Sequence, residues 1–241
     1  MIRFAAKCVS LLLLSSGAWG SAVWQEFNFK VMLDDREIGF HRFRVERSGA
    51  RETVNIDADF KVSFLGIDFY RYGHRNREVW RDGCLESIRS STDDNGDDYR
   101  VAGSREQSGF KLTTLEAQYE LDDSCVMTFA YWNKDFLEQK QLLDAQTGEY
   151  LPVDVEFEGN EELRLAEEAV SAKRYRLSNA VRDVDITVWY ASESHDWLAL
   201  ESRTGKGKRI RYLPVSADEL PTAEIVDRQP EADPDDRGGR R

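Results

Sequence analysis

"VNIDADFKVSF", residues 54–64, decides the fold. Val54, Ile56, Ala58, Phe60, Val62 and Phe64 fall on one side, and Asn55, Asp57, Asp59, Lys61 and Ser63 on the other. Apolar residues at period two make a strand with one dry face and one wet face. A helix would scatter the same side chains around its circumference. The period recurs in Phe27, Phe29, Val31 and Leu33, in Leu151, Val153, Val155 and Phe157, and in Val184, Ile186, Val188 and Tyr190.

Short polar turns separate these runs: "DDRE" at 34–37, "TDDNGDD" at 92–98 and "TGKGK" at 204–208. Asn95-Gly96 is a strong hairpin signal, because both residues accept positive φ in a type I′ turn. Its four flanking aspartates invite a calcium-loop reading. The EF-hand spacing needs a Glu at the twelfth position of a loop that starts at Asp93, where Ser104 stands, so the stretch reads as a hairpin tip. Short links force antiparallel neighbours. One helix is expected, over 133–144 with Asn133 as N-cap. About twelve antiparallel strands in one domain must curl or split into layers. The expectation is an all-β, mainly antiparallel fold: a strongly curved meander sheet or partly open β-barrel with one short helix. A two-sheet sandwich is the alternative.

The ends of the chain read differently. Arg3 and Lys7, the apolar run Val9–Leu14 and the small residues Ala18 and Gly20 read as a secretory signal peptide over 1–20. The apolar run is much shorter than the roughly 20 residues a membrane span needs, so no stable membrane anchor is expected. Residues 21–215 then form a single β domain, and 216–241, Pro-rich and acidic, a disordered tail. The expected location is periplasmic or secreted. Loss of Arg3 and Lys7 takes the formal charge from −12 to −14, which argues against nucleic acid as a partner. In an oxidising compartment Cys84 and Cys125 read as one disulfide.

Signatures of common enzymes are missing: no Gly-x-Ser-x-Gly elbow, no His-Glu-x-x-His, no P-loop. No catalytic residue, metal ligand or cofactor is assigned. The candidate binding stretch is "FYRYGHRNREVW", residues 69–80. On a continuous strand Tyr70, Tyr72, His74, Asn76, Glu78 and Trp80 share one face, and Arg71, Arg75 and Arg77 the other. Neither face matches the dry face of 54–64. An aromatic and polar face suits the wall of a ligand cavity; an edge strand whose arginines pair with carboxylates is the plainer reading. A second aromatic cluster, Trp189, Tyr190 and Trp197, flanks a turn with Glu193, His195 and Asp196. His195 and Asp196 are adjacent and make a poor catalytic pair on a strand, so this reads as hairpin packing.

"LDDREIGFHRFRV", "YRYGHRNREVWRDGCLESIRSSTDDNG" and "DITVWYASESHDWLALES" together resemble a family of exported bacterial proteins of unknown function. The resemblance spans most of 23–213. It implies export and an antiparallel β fold, and carries over no catalytic residue. Three functional readings follow. The first is a non-catalytic envelope protein holding a small hydrophobic or lipidic ligand in a curved β-sheet cavity. The second is an interaction or assembly factor meeting another envelope protein. The third is a hydrolase of an envelope glycan, with Glu78, His74 or Asp196 as acid or base.

Overall fold

The computed structural model describes residues 22–64, 67–165, 168–179, 184–204 and 207–221. The signal peptide expected over 1–20 and the tail from 222 onward lie outside the described residues. The first eight strands form a meander: β1 (Val23–Leu33), β2 (Arg36–Ser48), β3 (Arg51–Phe64), β4 (Ile67–Arg81), β5 (Cys84–Asp94), β6 (Asp97–Arg105), β7 (Phe110–Thr114) and β8 (Gln118–Leu121). A segment with two short strands follows, β9 (Gln141–Leu143) and β10 (Tyr150–Pro152). A second meander closes the fold: β11 (Asp154–Leu165), β12 (Glu168–Asn179), β13 (Val184–Ala191), β14 (Trp197–Arg203) and β15 (Arg209–Pro214).

Thirteen of these strands make one continuous antiparallel sheet. The second meander joins the first through β15 against β1, with Val31 opposite Tyr212. The two unpaired edges are therefore β8 and β11, and the sheet is not closed. The continuity of the sheet favours the partly open barrel over the sandwich.

The hairpins follow their turn residues. Asn95 and Gly96 take φ of 56° and 98° between the paired Asp94 and Asp97. Their backbone twist matches that of the strands they join. Directly opposed residues on neighbouring strands share a face. Four rows thus line the inside: Val45, Val54, Glu78 and Ile88; Phe43, Ile56, Asn76 and Ser90; Phe29, His41, Ala58, His74 and Thr92; Val31, Gly39, Phe60, Tyr72 and Asp94.

The segment 122–153 runs between the two free edges and fills the concave side. Val126, Met127, Ala130, Trp132, Phe136, Leu142 and Leu143 are buried there. The Cys84–Cys125 disulfide fixes its start, with Cα atoms 5.0 Å apart, beside a Leu85 N–H to Val126 carbonyl bond of 3.0 Å. Further along, the Tyr190 hydroxyl donates to the Tyr131 carbonyl at 2.7 Å. Trp132 meets Trp80 edge-on at 5.4 Å.

Three expectations are corrected. The helix expected over 133–144 is a short 3₁₀ turn, Lys134–Glu138, and residues 141–143 are strand β9. Asn133 does cap it, accepting from the Asp135 N–H at 3.1 Å. The extended conformation lets Leu142 and Leu143 pair with Leu151 and Tyr150 while burying their side chains. The apolar run 151–157 is likewise two strands, because the Val153 N–H turns to the Lys140 carbonyl at 2.9 Å. Finally, β4 is paired on both sides, so the plainer reading of 69–80 as an edge strand falls, and its even-numbered face lies on the same side of the sheet as the dry face of β3.

The first six residues of the segment read as tail are described; 216–219 and Pro221 are exposed, and the chain is held to the outside of the sheet at a few points. Leu220 is buried, Val215 N–H donates to the Asn28 carbonyl at 3.0 Å, and Arg42 Nη2 donates to the Pro221 carbonyl at 2.8 Å.

Candidate functional site

Strand β4 carries the six residues singled out in the sequence, and all six face the concave side. They divide by depth. Asn76, Glu78 and Trp80 are sealed beneath the 122–153 segment. Glu78 is 1% exposed and spends both oxygens: Asn76 Nδ2 donates to Oε1 at 2.8 Å and Trp80 Nε1 to Oε2 at 2.9 Å. The Thr128 hydroxyl adds a third bond. Burial raises the Glu78 pKa, and these three donors oppose the rise. A carboxyl enclosed in this way is a structural acceptor and has no route to a polymer substrate.

Nearer the 34–35 and 95–96 turns the wall becomes aromatic. Tyr72 stacks on Phe60 at 5.1 Å between centroids, and its hydroxyl donates to Gln146 Oε1 at 3.1 Å. Gln146 in turn donates to Asp94 at 3.2 Å, and Tyr70 bonds the same carboxylate. His74 Nδ1 lies 2.7 Å from the Thr92 hydroxyl, and burial pushes its pKa down to about 4. His41, missed in the sequence, stacks on Phe43 at 4.3 Å and meets the Tyr212 hydroxyl at 3.0 Å. Burial, then the proximity of His74, holds its pKa well below the usual imidazole range. Both imidazoles are therefore neutral. His41 Nε2 and Asn76 Oδ1 are buried without a hydrogen-bond partner among the described residues.

An open cleft lies elsewhere, at the other end of the barrel interior. Its volume is about 580 Å³. Gln25, Arg47 and Glu52 reach it from β1, β2 and β3, Trp132–Asp135 from the filling segment, and Ser194–Asp196 from the turn between β13 and β14. One polar chain organises its rim. Arg47 donates to Glu52 at 2.8 Å and to Gln25 at 2.7 Å, and Gln25 Nε2 donates to Asp196 at 3.1 Å. Arg47 also stands over the Trp132 ring, 5.8 Å from its centroid. The Trp132 indole N–H is buried and finds no acceptor among the described residues. A satisfied interior would not leave such a donor idle, since an unpaired buried N–H costs about 1–3 kcal/mol.

Of the six residues on β4, only Trp80 approaches this cleft, one ring behind Trp132. The turn with His195 and Asp196, read as hairpin packing, supplies one wall, and His195 takes a left-handed φ of 62° there. Gln25, Arg47, Glu52 and Trp132 carried no sequence signal. They come from four separate stretches, and only the cap at Asn133 and the turn at 193–196 marked the neighbourhood.

The comparisons agree with the architecture. No curated protein matches the chain. A crystal structure titled as a beta-barrel-like protein of domain of unknown function DUF1849, from Brucella abortus, is similar with a TM-score of 0.58 at 12% identity. The match covers 79% of this chain and 95% of that one. At this identity the likeness concerns the fold alone. A family model described as a domain of unknown function, DUF6134, matches residues 29–215, so the chain belongs to the DUF6134 family.

Proposed function

We propose that this is a non-catalytic binding protein of the exported compartment, holding a small molecule in the mouth of its open barrel. The observation that carries the reading is the cleft around Trp132. Its volume falls in the usual range for small-ligand sites, roughly 300–1,000 Å³. It is bordered by an idle buried donor and by a pre-arranged chain of Arg47, Glu52, Gln25 and Asp196. Such a lining suits a polar molecule offering a hydrogen-bond acceptor to the indole more than the lipidic ligand expected from the sequence. Export is supported by the signal-like residues 1–20 and by a disulfide that stabilises the fold only where thiols are oxidised.

Native mass spectrometry of the protein purified from its own envelope tests the reading. A retained mass is expected, reduced in Trp132→Phe, which keeps a smaller aromatic ring and loses the donor. Ser194→Trp, on the exposed turn, should block the mouth without touching the core. A bare polypeptide mass from the unmodified protein, or a retained mass indifferent to both changes, removes the cleft as the binding site.

A further inference from the structure

The outer face of β4–β6 carries an arginine patch on an acidic protein, bordered toward the 95–96 turn by Asp59, Asp93 and Asp98 on one row. Arg75, Arg77, Arg89 and Arg100 all point outward and are exposed. Arg77 stands directly opposite Arg89, and Arg75 and Arg100 flank Ser91 from either side. Like charges placed opposite each other destabilise a sheet. Only Arg75 finds relief among the described residues. Arg77, Arg89 and Arg100 have no carboxylate partner among the described residues, and Asp57 reaches Arg75 at 3.6 Å. The strand neighbours of this pair, Asn55 and Ala102, are uncharged.

We propose that this arginine face is the docking surface for the acidic C-terminal segment of the same chain, residues 222–236. Three observations converge. The first is direction. After β15 the chain runs on beside β1, where the Val215 N–H bonds the Asn28 carbonyl as the next step of the same ladder, and by Pro221 it lies within reach of Arg42 on β2. It therefore travels from β15 toward β3 and β4. The second is alignment. Arg42, Asp57, Arg75, Ser91 and Arg100 lie on one cross-strand row, so Pro221 is already on the row of two of the arginines. The third is spacing and charge. Residues 222–236 hold six carboxylates against the single Arg228. Strands lie about 4.8 Å apart, which puts Arg75 roughly 10 Å and Arg100 roughly 19 Å from β2. An extended chain advances about 3.3 Å per residue, so Glu224 and Asp227 come due at about 10 and 20 Å. The apolar pair Ile225 and Val226 falls between them.

The test is NMR on the mature full chain and on the same chain ended at Pro221. Truncation should shift the resonances of Arg75, Arg77, Arg89 and Arg100, and a peptide of residues 222–241 added in trans should restore them. Raising salt to about 0.5 M should abolish the effect, because exposed ion pairs are screened. The double change Arg77→Glu with Arg89→Glu should weaken the peptide at least about tenfold. Shifts confined to the neighbours of Arg42, or a peptide that binds the double variant as well as the parent, would overturn the proposal. The face would then belong to a separate anionic partner.

Discussion

Glu78 stands directly opposite Val54 in the β3–β4 ladder, and both side chains point into the barrel. Each is essentially inaccessible to solvent. A carboxyl thus occupies a place in the core that its cross-strand neighbour fills with a branched hydrocarbon. It is tolerated because Asn76, Trp80 and Thr128 supply three donors. Glu78→Gln keeps the shape and replaces one acceptor oxygen with a donor, which must then face another donor. The expected loss is about 1–3 kcal/mol in urea unfolding at pH 7. A variant as stable as the parent would show that the three-donor arrangement is not formed.

The two buried imidazoles make stability depend on acid. His74 has a folded-state pKa near 4, well below the ordinary 6.5, so the unfolded chain takes up the proton first. The stability linked to its neutral form is full above pH 6.5 and is lost as pH falls toward 4. Between pH 7 and 5 the parent should therefore lose about 2 kcal/mol through His74 alone. His74→Gln removes this titration. The stability gap between parent and variant should narrow by that amount over the same interval in paired urea titrations. A gap independent of pH would place the His74 ring in contact with solvent.

Gly39 carries a steric requirement. Its φ is 150°, and a Cβ built there would lie 1.8 Å from the Asp59 carbonyl oxygen. Backbone atoms of β3 cannot yield as a side chain would. Gly39→Ala should cost about 2–4 kcal/mol by thermal or chemical unfolding, from strain and overlap together. Gly73, where an added Cβ meets nothing within 4 Å, is the control. Gly73→Ala should leave stability within about 0.5 kcal/mol of the parent.

The disulfide ties residues 41 positions apart and anchors the filling segment to the first residue of β5. Replacing Cys84 and Cys125 with Ala should destabilise the protein by up to about 4 kcal/mol in the loop-entropy model. The loss should appear first at the segment. Amide exchange at Val126–Trp132 is expected to accelerate more than exchange in β13 and β14. Uniform acceleration would mean that the bridge acts only on the unfolded chain.

Strand identity was legible in the sequence because it is local. The alternation in Val54–Phe64 follows from the pleat, and Asn95-Gly96 marks its hairpin whatever the rest of the chain does. The common face of Tyr70 through Trp80 was legible for the same reason. That the deep half of this face, Asn76, Glu78 and Trp80, is sealed rather than lining a wet cavity was not. Its polarity argues for water, and although Asn76 and Trp80 on the same face supply two donors, the third comes from Thr128 fifty positions along, which no local pattern announces.

The tertiary structure alone decided the rest. Residues 133–144 have helical composition, yet they fill a concave space between two free sheet edges, where extended pairing with Tyr150 and Leu151 buries Leu142 and Leu143. The cleft gathers Gln25, Arg47, Glu52, Trp132 and Asp196 at one mouth only because β15 returns to β1 and the chain between β8 and β11 folds inward. Side-chain period is set by bonds between neighbours in sequence, whereas the mouth is set by which distant strands meet, and no local pattern records that.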